Sequence, residues 1–200
     1  MYPLLKRVLD IALAIAVLIV FAPVLIVLAV WIKSGDGGPI LYAGTRAGRG
    51  DVPFRMLKFR TMVVNAERLG PSSTSDSDAR ITRAGAFMRR LKLDELPQLF
   101  NVLAGTMSFV GPRPQVQWAV DRYTAAEKAL LSVRPGITDF ASLRFRNEGE
   151  ILRGSTDPDR DYLEKIAPLK IRLGLHDRHA LGIAKRGPCV VATNRHVLSA

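Results

Sequence analysis

Ile11 to Ile32 reads IALAIAVLIVFAPVLIVLAVWI, a run without one charged residue. At about 1.5 Å of rise per helical residue it is long enough to cross a hydrocarbon core of roughly 30 Å. Three structures meet that description: a single transmembrane anchor, a cleaved signal peptide, and a re-entrant hairpin that dips into the bilayer and returns. The signal peptide fits worst, because the run exceeds the usual apolar length of about 7–15 residues and lacks a small-x-small exit. Hydropathy by itself favours the anchor. Two local features favour re-entry. Ala22-Pro23 lies near the middle of the run, where proline removes a backbone donor and kinks a helix. Basic residues also bracket both ends, with Lys6 and Arg7 before, and Lys33, Arg46 and Arg49 after. Under the positive-inside rule a spanning helix should be asymmetric, so this one asks for both ends on the cytoplasmic side. Asp10 then sits at the head-group level beside Lys6 and Arg7.

Working outward, Ser34-Gly35-Asp36-Gly37-Gly38-Pro39 is a turn-rich exit from the apolar run. Ile40 to Tyr42 and Phe54 to Phe59 read as short strands separated by a turn at Gly48-Arg49-Gly50-Asp51. Thr61 to Leu69 reads as a helix, and Gly70 to Ser75 as an exposed loop. From Ala84, apolar residues recur at Phe87, Met88 and Leu91, the spacing of an amphipathic helix. Arg83, Arg89, Arg90 and Lys92 crowd around that stripe, so it suits either a core or a membrane interface. Leu96, Leu99, Phe100 and Leu103 repeat the spacing, and Gly105 is a natural stop. Thr124-Ala125-Ala126-Glu127 is a capping box, and Asp157-Pro158 opens a further helix. The expected class is α+β, mostly helical: a re-entrant membrane helix hairpin over 1–33, then a small cytosolic domain over 34–200. That domain should hold a short β-hairpin and interfacial amphipathic helices, with 187–200 unassigned. Strand signals are too few for a doubly wound sheet.

The balance of 29 Lys+Arg against 18 Asp+Glu gives +11, which favours anionic partners without choosing among nucleic acid, acidic lipid and phosphorylated substrate. The single Cys189 excludes an internal disulfide. His176, His179 and His196 have only that one cysteine for company, so no zinc-ligand spacing exists.

The stretch that carries chemistry is Leu93-Asp94-Glu95-Leu96-Pro97-Gln98-Leu99. Asp94 reads as a helix N-cap with Glu95 in the first turn. Adjacent carboxylates at a helix start also make a hard-oxygen site for Mg²⁺, which takes one or two carboxylates plus substrate phosphates. Neighbours in sequence cannot flank a glycosidic bond, which excludes a glycosidase pair. An Asp so placed can attack phosphorus and form an acyl phosphate, with Mg²⁺ and arginines holding the charge. Candidate cations lie on both sides. Lys58 and Arg60 alternate onto one face of a strand, and Arg89 and Arg90 precede Asp94 by about one helical turn. Arg113 sits between two prolines in Gly111-Pro112-Arg113-Pro114, which stiffens its backbone for a fixed fork on phosphate. Arg134-Pro135-Gly136-Ile137-Thr138 is similar. Asp78-Ala79-Arg80 reads as a turn closed by an Asp–Arg contact.

These residues, in this order, resemble the monotopic phosphoglycosyl transferases, the bacterial sugar transferase family. The matching blocks are Lys6-Arg7-x-x-Asp10, the apolar run with Pro23, Lys58-Phe59-Arg60-Thr61-Met62, Asp78-x-Arg80-Ile81-Thr82 and Leu93 to Leu99. They continue through Asn101-Val102-Leu103, Met107-Ser108, Val110 to Pro114 and Arg134 to Thr138. The resemblance implies the minimal catalytic form, a re-entrant helix broken near Pro23, and a domain resting on the cytoplasmic face of the bacterial inner membrane. It implies a ping-pong reaction in which Asp94 attacks the β-phosphate of a UDP-sugar and releases UMP. Polyprenyl (undecaprenyl) phosphate then takes the phosphosugar, the first membrane step of exopolysaccharide or glycoconjugate assembly. Glu95 is implied as metal-site partner or base, with Mg²⁺ held by Asp94 and Glu95. Lys58, Arg60, Arg89, Arg113 and Arg134 are the expected phosphate-binding residues. The implied partners are the donor, the lipid acceptor and inner-membrane phospholipid, with a homodimer left open.

The chain departs from the family's pattern at Ala22, where Ser is common before Pro23, and at Thr106, where Asp is frequent. Asp139-Phe140 stands where Gly and an apolar residue are usual, and His176 where Tyr is often found. A membrane-tethered basic scaffold, or a lipid- or nucleic-acid-binding protein, would explain +11 but not the adjacent acids or the proline-fixed arginines. Nucleic acid is not an expected partner: recognition motifs are absent, and two Trp, four Tyr and eight Phe offer little for stacking.

Overall fold

The computed structural model describes residues 2–71, 73–75 and 77–180; the expectation for 187–200, with Cys189 and His196, lies outside the described residues. The apolar run becomes one long helix, α1 (Tyr2–Asp36), with Pro23 inside it. The element expected to break at Ala22-Pro23 is therefore a single helix, in which proline leaves the Ile19 carbonyl without its usual donor. One stripe of α1 is covered. Ala14 is 0% exposed and Leu28 3%, whereas Val20 is 71% and Ile26 64% exposed on the other faces. Spacings of three and four residues put Asp10, Ala14, Leu25, Leu28 and Ile32 on the covered side.

That stripe rests on the rest of the protein along its length. Ala14 packs with Met56, Leu99, Val102 and Met107, while Leu28 and Ile32 pack with Phe59, Ala84 and Met88. Polar locks stand at both ends. Arg7 donates to the carbonyls of Val102 at 2.6 Å and Leu103 at 3.0 Å. Asp10 accepts from Lys6 at 3.1 Å and from the Ser108 hydroxyl at 2.8 Å. At the far end Arg60 donates to Asp36 at 2.6 Å and to the Pro39 carbonyl at 2.7 Å.

The predicted hairpin is present as β1 (Leu41–Ala47) and β2 (Pro53–Phe59), antiparallel from Leu41↔Phe59 to Ala47↔Pro53. Its turn uses positive φ at Gly50 and Asp51, 70° and 64°. The first strand is longer than the apolar signal at 40–42, because pairing with β2 carries Gly44 and Arg46 into the ladder. The helix expected over Thr61 to Leu69 is corrected: Met62 bridges Ile81, Asn65 is left-handed, and only Ala66–Arg68 forms a 3₁₀ turn. Arg80 supplies the reason. It donates to Asp78 at 2.6 Å, to the Ala66 carbonyl at 2.9 Å and to the Pro71 carbonyl at 3.0 Å, pinning the segment as a loop.

Helix α2 (Arg83–Leu91) is capped by the Thr82 hydroxyl, which accepts from the Gly85 N–H. Gly85 has to be glycine: a Cβ there would lie 1.9 Å from the Thr61 carbonyl oxygen. The amphipathic stripe of α2 divides. Ala84 and Met88 enter the core, but Phe87 and Leu91 stay exposed, with Phe87 against Trp31 of α1 at 5.5 Å between ring centroids. Helix α3 (Gln98–Ala104) ends at Gly105, φ 83°. Beyond it lies a parallel pair that sequence reading missed, β3 (Ser108–Val110) and β4 (Gly136–Thr138), too short for any alternation to show. Its backbones touch: a Cβ on Gly136 would sit 2.2 Å from the Gly111 nitrogen.

The C-terminal half is a set of short helices: α4 (Gln117–Val120), α5 (Phe140–Arg144), α6 (Glu148–Ile151), α7 (Pro158–Asp161) and α8 (Ala167–Ala180). A π-helical stretch, Tyr162–Ile166, joins the last two. The Thr124–Glu127 capping box is made, with Thr124 N–H donating to Glu127 at 2.7 Å, but it opens a 3₁₀ segment rather than an α-helix. Asp157 caps α7 as expected. Among the described residues the architecture is mostly helical α+β with two two-stranded sheets.

Candidate active site

Between α2 and α3 the chain makes a 3₁₀ turn, Leu93–Glu95, entered through Lys92 at a left-handed φ of 58°. That corrects the expected role of Asp94: it is inside the turn, not a side-chain cap. Asp94 is 6% exposed. Its Oδ2 is 3.9 Å from Lys58 Nζ, while its Oδ1 is buried with no hydrogen-bond partner.

Strand β2 delivers Lys58 to this turn because Asn101 of α3 clips the two together. The Asn101 side chain accepts from the Leu57 N–H at 2.9 Å and donates to the Arg55 carbonyl at 2.8 Å. Lys58 then reaches Glu95 at 3.0 Å. Arg113 also reaches Glu95, with both terminal nitrogens, one of them at 3.1 Å. Its backbone is fixed in turn, since the Arg113 N–H donates to Asp139 at 3.1 Å and its guanidinium touches the Ile137 carbonyl. The close approach of Gly111 and Gly136 brings that loop to the site.

Burial pushes the Asp94 carboxyl above the usual carboxylate range; Lys58 opposes the shift, and the charge on Glu95 adds to it. Burial acts on Glu95 as well, but Lys58 and Arg113 outweigh it and hold that carboxyl far below its ordinary value. Burial lowers Lys58, with Glu95 the main opposing influence. Two adjacent acids are thereby driven apart. Glu95 is an anion tied to two cations while Lys58 and Arg113 hold it, and Asp94 is an under-solvated carboxyl with one oxygen lacking a partner.

Of the predicted phosphate-binding residues, Lys58 and Arg113 join the carboxylates in one network. Arg89 stands beside them, its Nε donating to Thr61 Oγ1 at 2.9 Å and its charge felt by Asp94. Arg60 is engaged elsewhere, on Asp36 and the Pro39 carbonyl. Arg134 is exposed two residues before β4 and takes no part in the network. Two residues stand in the quoted blocks without a role read from the sequence. Asn101 was legible as a polar residue among the apolar positions of a helix. Gln98 is 0% exposed, with neither side-chain amide atom bonded, one turn after Asp94.

Among the described residues no three or more His, Cys, Asp or Glu gather as a metal cage. The donor set nevertheless fits Mg²⁺ of the kind that keeps water and substrate phosphates as ligands. The unpartnered Asp94 Oδ1 is the free hard oxygen, whereas both oxygens of Glu95 are occupied by Lys58 and Arg113.

Residues 1–172 match the family model described as Bacterial sugar transferase. The chain is 40% identical over 166 residues to a UDP-glucose:undecaprenyl-phosphate glucose-1-phosphate transferase of Caulobacter vibrioides, covering 80% of this chain and 62% of that protein. It is 40% identical over 145 residues to the UDP-N-acetylgalactosamine-undecaprenyl-phosphate N-acetylgalactosaminephosphotransferase of Aeromonas hydrophila, 71% of this chain and 34% of that protein. An undecaprenyl-phosphate galactose phosphotransferase of Salmonella typhimurium is 40% identical over 160 residues, 72% of this chain and 33% of that protein. The chain thus spans between a third and under two thirds of the length of these relatives.

Proposed function

Because the chain belongs to the bacterial sugar transferase family, we propose that it moves a sugar 1-phosphate from a UDP-sugar to undecaprenyl phosphate through a covalent intermediate on Asp94. The observation that carries the reading is the Asp94 carboxylate itself. It is buried, raised in pKa, one oxygen short of a partner, and faced by Lys58 with Glu95–Arg113 alongside.

In the first half-reaction an Asp94 oxygen forms a bond to the β-phosphorus of the donor. The bond from that phosphorus to the bridging oxygen breaks, and UMP leaves with the electron pair. In the second, an oxygen of the lipid phosphate attacks the same phosphorus and Asp94 departs as carboxylate, giving the polyprenyl diphosphate sugar. Lys58, Arg89 and Arg113 hold the phosphate charge in line with Asp94. Glu95 keeps Lys58 and Arg113 in place and, once they turn to substrate, can accept a proton from the acceptor. Asp94, with Glu95 in support, would hold a Mg²⁺ ion, which when bound would neutralise diphosphate charge.

The lipid acceptor calls for a site at the bilayer surface, and α1 supports one. Its covered stripe binds a single domain from Arg7 to Asp36, while its other faces are apolar and exposed. Both ends then lie on one side of the membrane, the cytoplasmic one, and α1 enters the bilayer without crossing it. Phe87, Leu91 and Trp31 extend the apolar surface beside it.

Incubating the protein with UDP-sugar alone, then digesting it, tests the mechanism: mass spectrometry should find a phosphosugar on the peptide containing Asp94. Product formation with that peptide unmodified under trapping conditions would refute the covalent route.

A further inference from the structure

Arg46 stands on β1, half-buried, and the phosphotransfer described above gives it no task. Across the hairpin Tyr42 faces Lys58, Gly44 faces Met56 and Arg46 faces Phe54, so these six positions share one side of the sheet. Gly44 leaves room for the guanidinium: a Cβ there would lie 3.1 Å from an Arg46 terminal nitrogen and 2.9 Å from the Tyr42 ring. Arg46 thus folds back along the strand toward Tyr42, the cross-strand partner of Lys58. The end of β1 is also tied to the loop that carries Arg113, since the Ala47 N–H donates to the Gln115 carbonyl at 3.0 Å. Arg113 is close enough for its charge to act on Arg46. Burial disfavours the Arg46 cation, Tyr42 opposes that, and Arg113 adds to it. Yet among the described residues no carboxylate pairs with Arg46. Its guanidinium donates to the Thr45 carbonyl at 2.8 Å, which leaves most of its N–H groups unused. A desolvated cation beside another cation is costly until an anion joins them.

We infer that Arg46 binds the phosphate that departs with UMP, the α-phosphate of the donor. The inference rests on the phosphotransfer reading above and deepens it. In phosphoryl transfer the attacking and leaving oxygens lie roughly in line, with phosphorus between them. The leaving oxygen therefore points away from Asp94, and the electron pair of the breaking P–O bond ends on the α-phosphate. A cation for that phosphate has to adjoin a residue holding the β-phosphate while standing off the nucleophile. Arg46 meets both demands. It neighbours Arg113, and it is not among the main cations acting on Asp94 or Glu95, which are Lys58, Arg89, Lys92 and Arg113. It also needs no release: Lys58 and Arg113 have to leave Glu95 in order to turn to substrate, whereas Arg46 has no carboxylate to leave. Its partial exposure keeps the guanidinium within reach of a ligand.

The two half-reactions separate this role from others, because the α-phosphate is present only in the first. UDP-glucose, UDP-galactose, UDP-N-acetylglucosamine and UDP-N-acetylgalactosamine are offered in turn to the full chain in membranes, without lipid acceptor. Passage of labelled UMP into the donor then reads the first half-reaction alone. Arg46→Met should slow that exchange by about a hundredfold and weaken inhibition by UMP by about tenfold. Arg46→Lys, which keeps a charge but not the fork, should restore part of both. Protein loaded with phosphosugar by prolonged incubation, then freed of nucleotide, should pass it to undecaprenyl phosphate at the unaltered rate in either variant. Unchanged exchange in Arg46→Met would overturn the assignment. Discharge slowed as much as exchange would place Arg46 on the acceptor or in the fold, and would overturn it too. Failure of the unaltered protein to exchange UMP with any of the donors would instead defeat the phosphotransfer reading itself.

Discussion

Asp94 and Glu95 are neighbours in sequence whose carboxyls are shifted in opposite directions, and their surroundings make them so. Glu95 is spent on Lys58 and Arg113; Asp94 has a buried oxygen with nothing to bond. A carboxyl whose pKa is raised by folding makes the folded state less stable once ionised, above that raised value. Asp94→Asn should therefore lower turnover by about a thousandfold or more while leaving the thermal midpoint equal or higher. A clear drop in midpoint would show that Asp94 is a structural partner rather than a strained nucleophile. Rates against pH report the same couplings. Lys58 holds Asp94 down and Glu95 pushes it up, while Glu95 holds Lys58 up. Lys58→Met should shift the acid limb of kcat/KM to higher pH. Glu95→Gln should move both limbs to lower pH, because Asp94 loses a repelling charge and Lys58 an attracting one. Limbs that stay put in both variants would remove Asp94 and Lys58 from the titration. At this scale the sequence was informative, since Lys58, Asp94, Glu95 and Arg113 are charges in fixed local settings. Arg60 was less so: its engagement with Asp36 depends on where α1 ends, which no local pattern states.

Among the elements, the clip between β2 and α3 matters most to the site. Asn101 satisfies one N–H and one carbonyl of β2 next to Lys58, and it is only 6% exposed. Replacing it with Ala strands both backbone groups, at a cost of about 1–3 kcal/mol for each left unmet. Asn101→Ala should lower the denaturation midpoint and reduce kcat/KM together, since Lys58 loses its register against Asp94. Full activity at reduced stability would mean that packing of Met56 and Leu99 already fixes β2. The same element explains a partial misreading of α2. Its apolar stripe was legible, but a stripe that leaves one edge outside the core has the same period as one that lies wholly within it. Only the partners, Met88 in the core and Phe87 on Trp31, divide it. The 61–69 segment failed for a related reason, because Arg80 bonds across it to Ala66 and Pro71 at long range.

For the whole molecule, the governing fact is where the two ends of α1 are held. The apolar run was plain in the sequence, and so was its bracketing by basic residues. What local reading could not give is that Asp10 bonds to Ser108 and Arg7 to the end of α3, about a hundred residues away in sequence. On the proposed topology those contacts oppose spanning, since a helix that crossed the bilayer would tear its first turns from the domain and strand the carbonyls of Val102 and Leu103. A thiol tag at residue 1 and another at residue 200 should both resist labelling by a membrane-impermeant reagent applied from the periplasm. Combining Lys6→Asn, Arg7→Ala and Asp10→Asn removes the lock and the retaining positive charge in one step. In that variant part of the population should become labelled at residue 1, because the apolar length suffices to cross once nothing restrains it. Labelling of the unaltered protein at residue 1 would mean that the contacts of Arg7 and Asp10 yield to insertion, and that the helix spans after all.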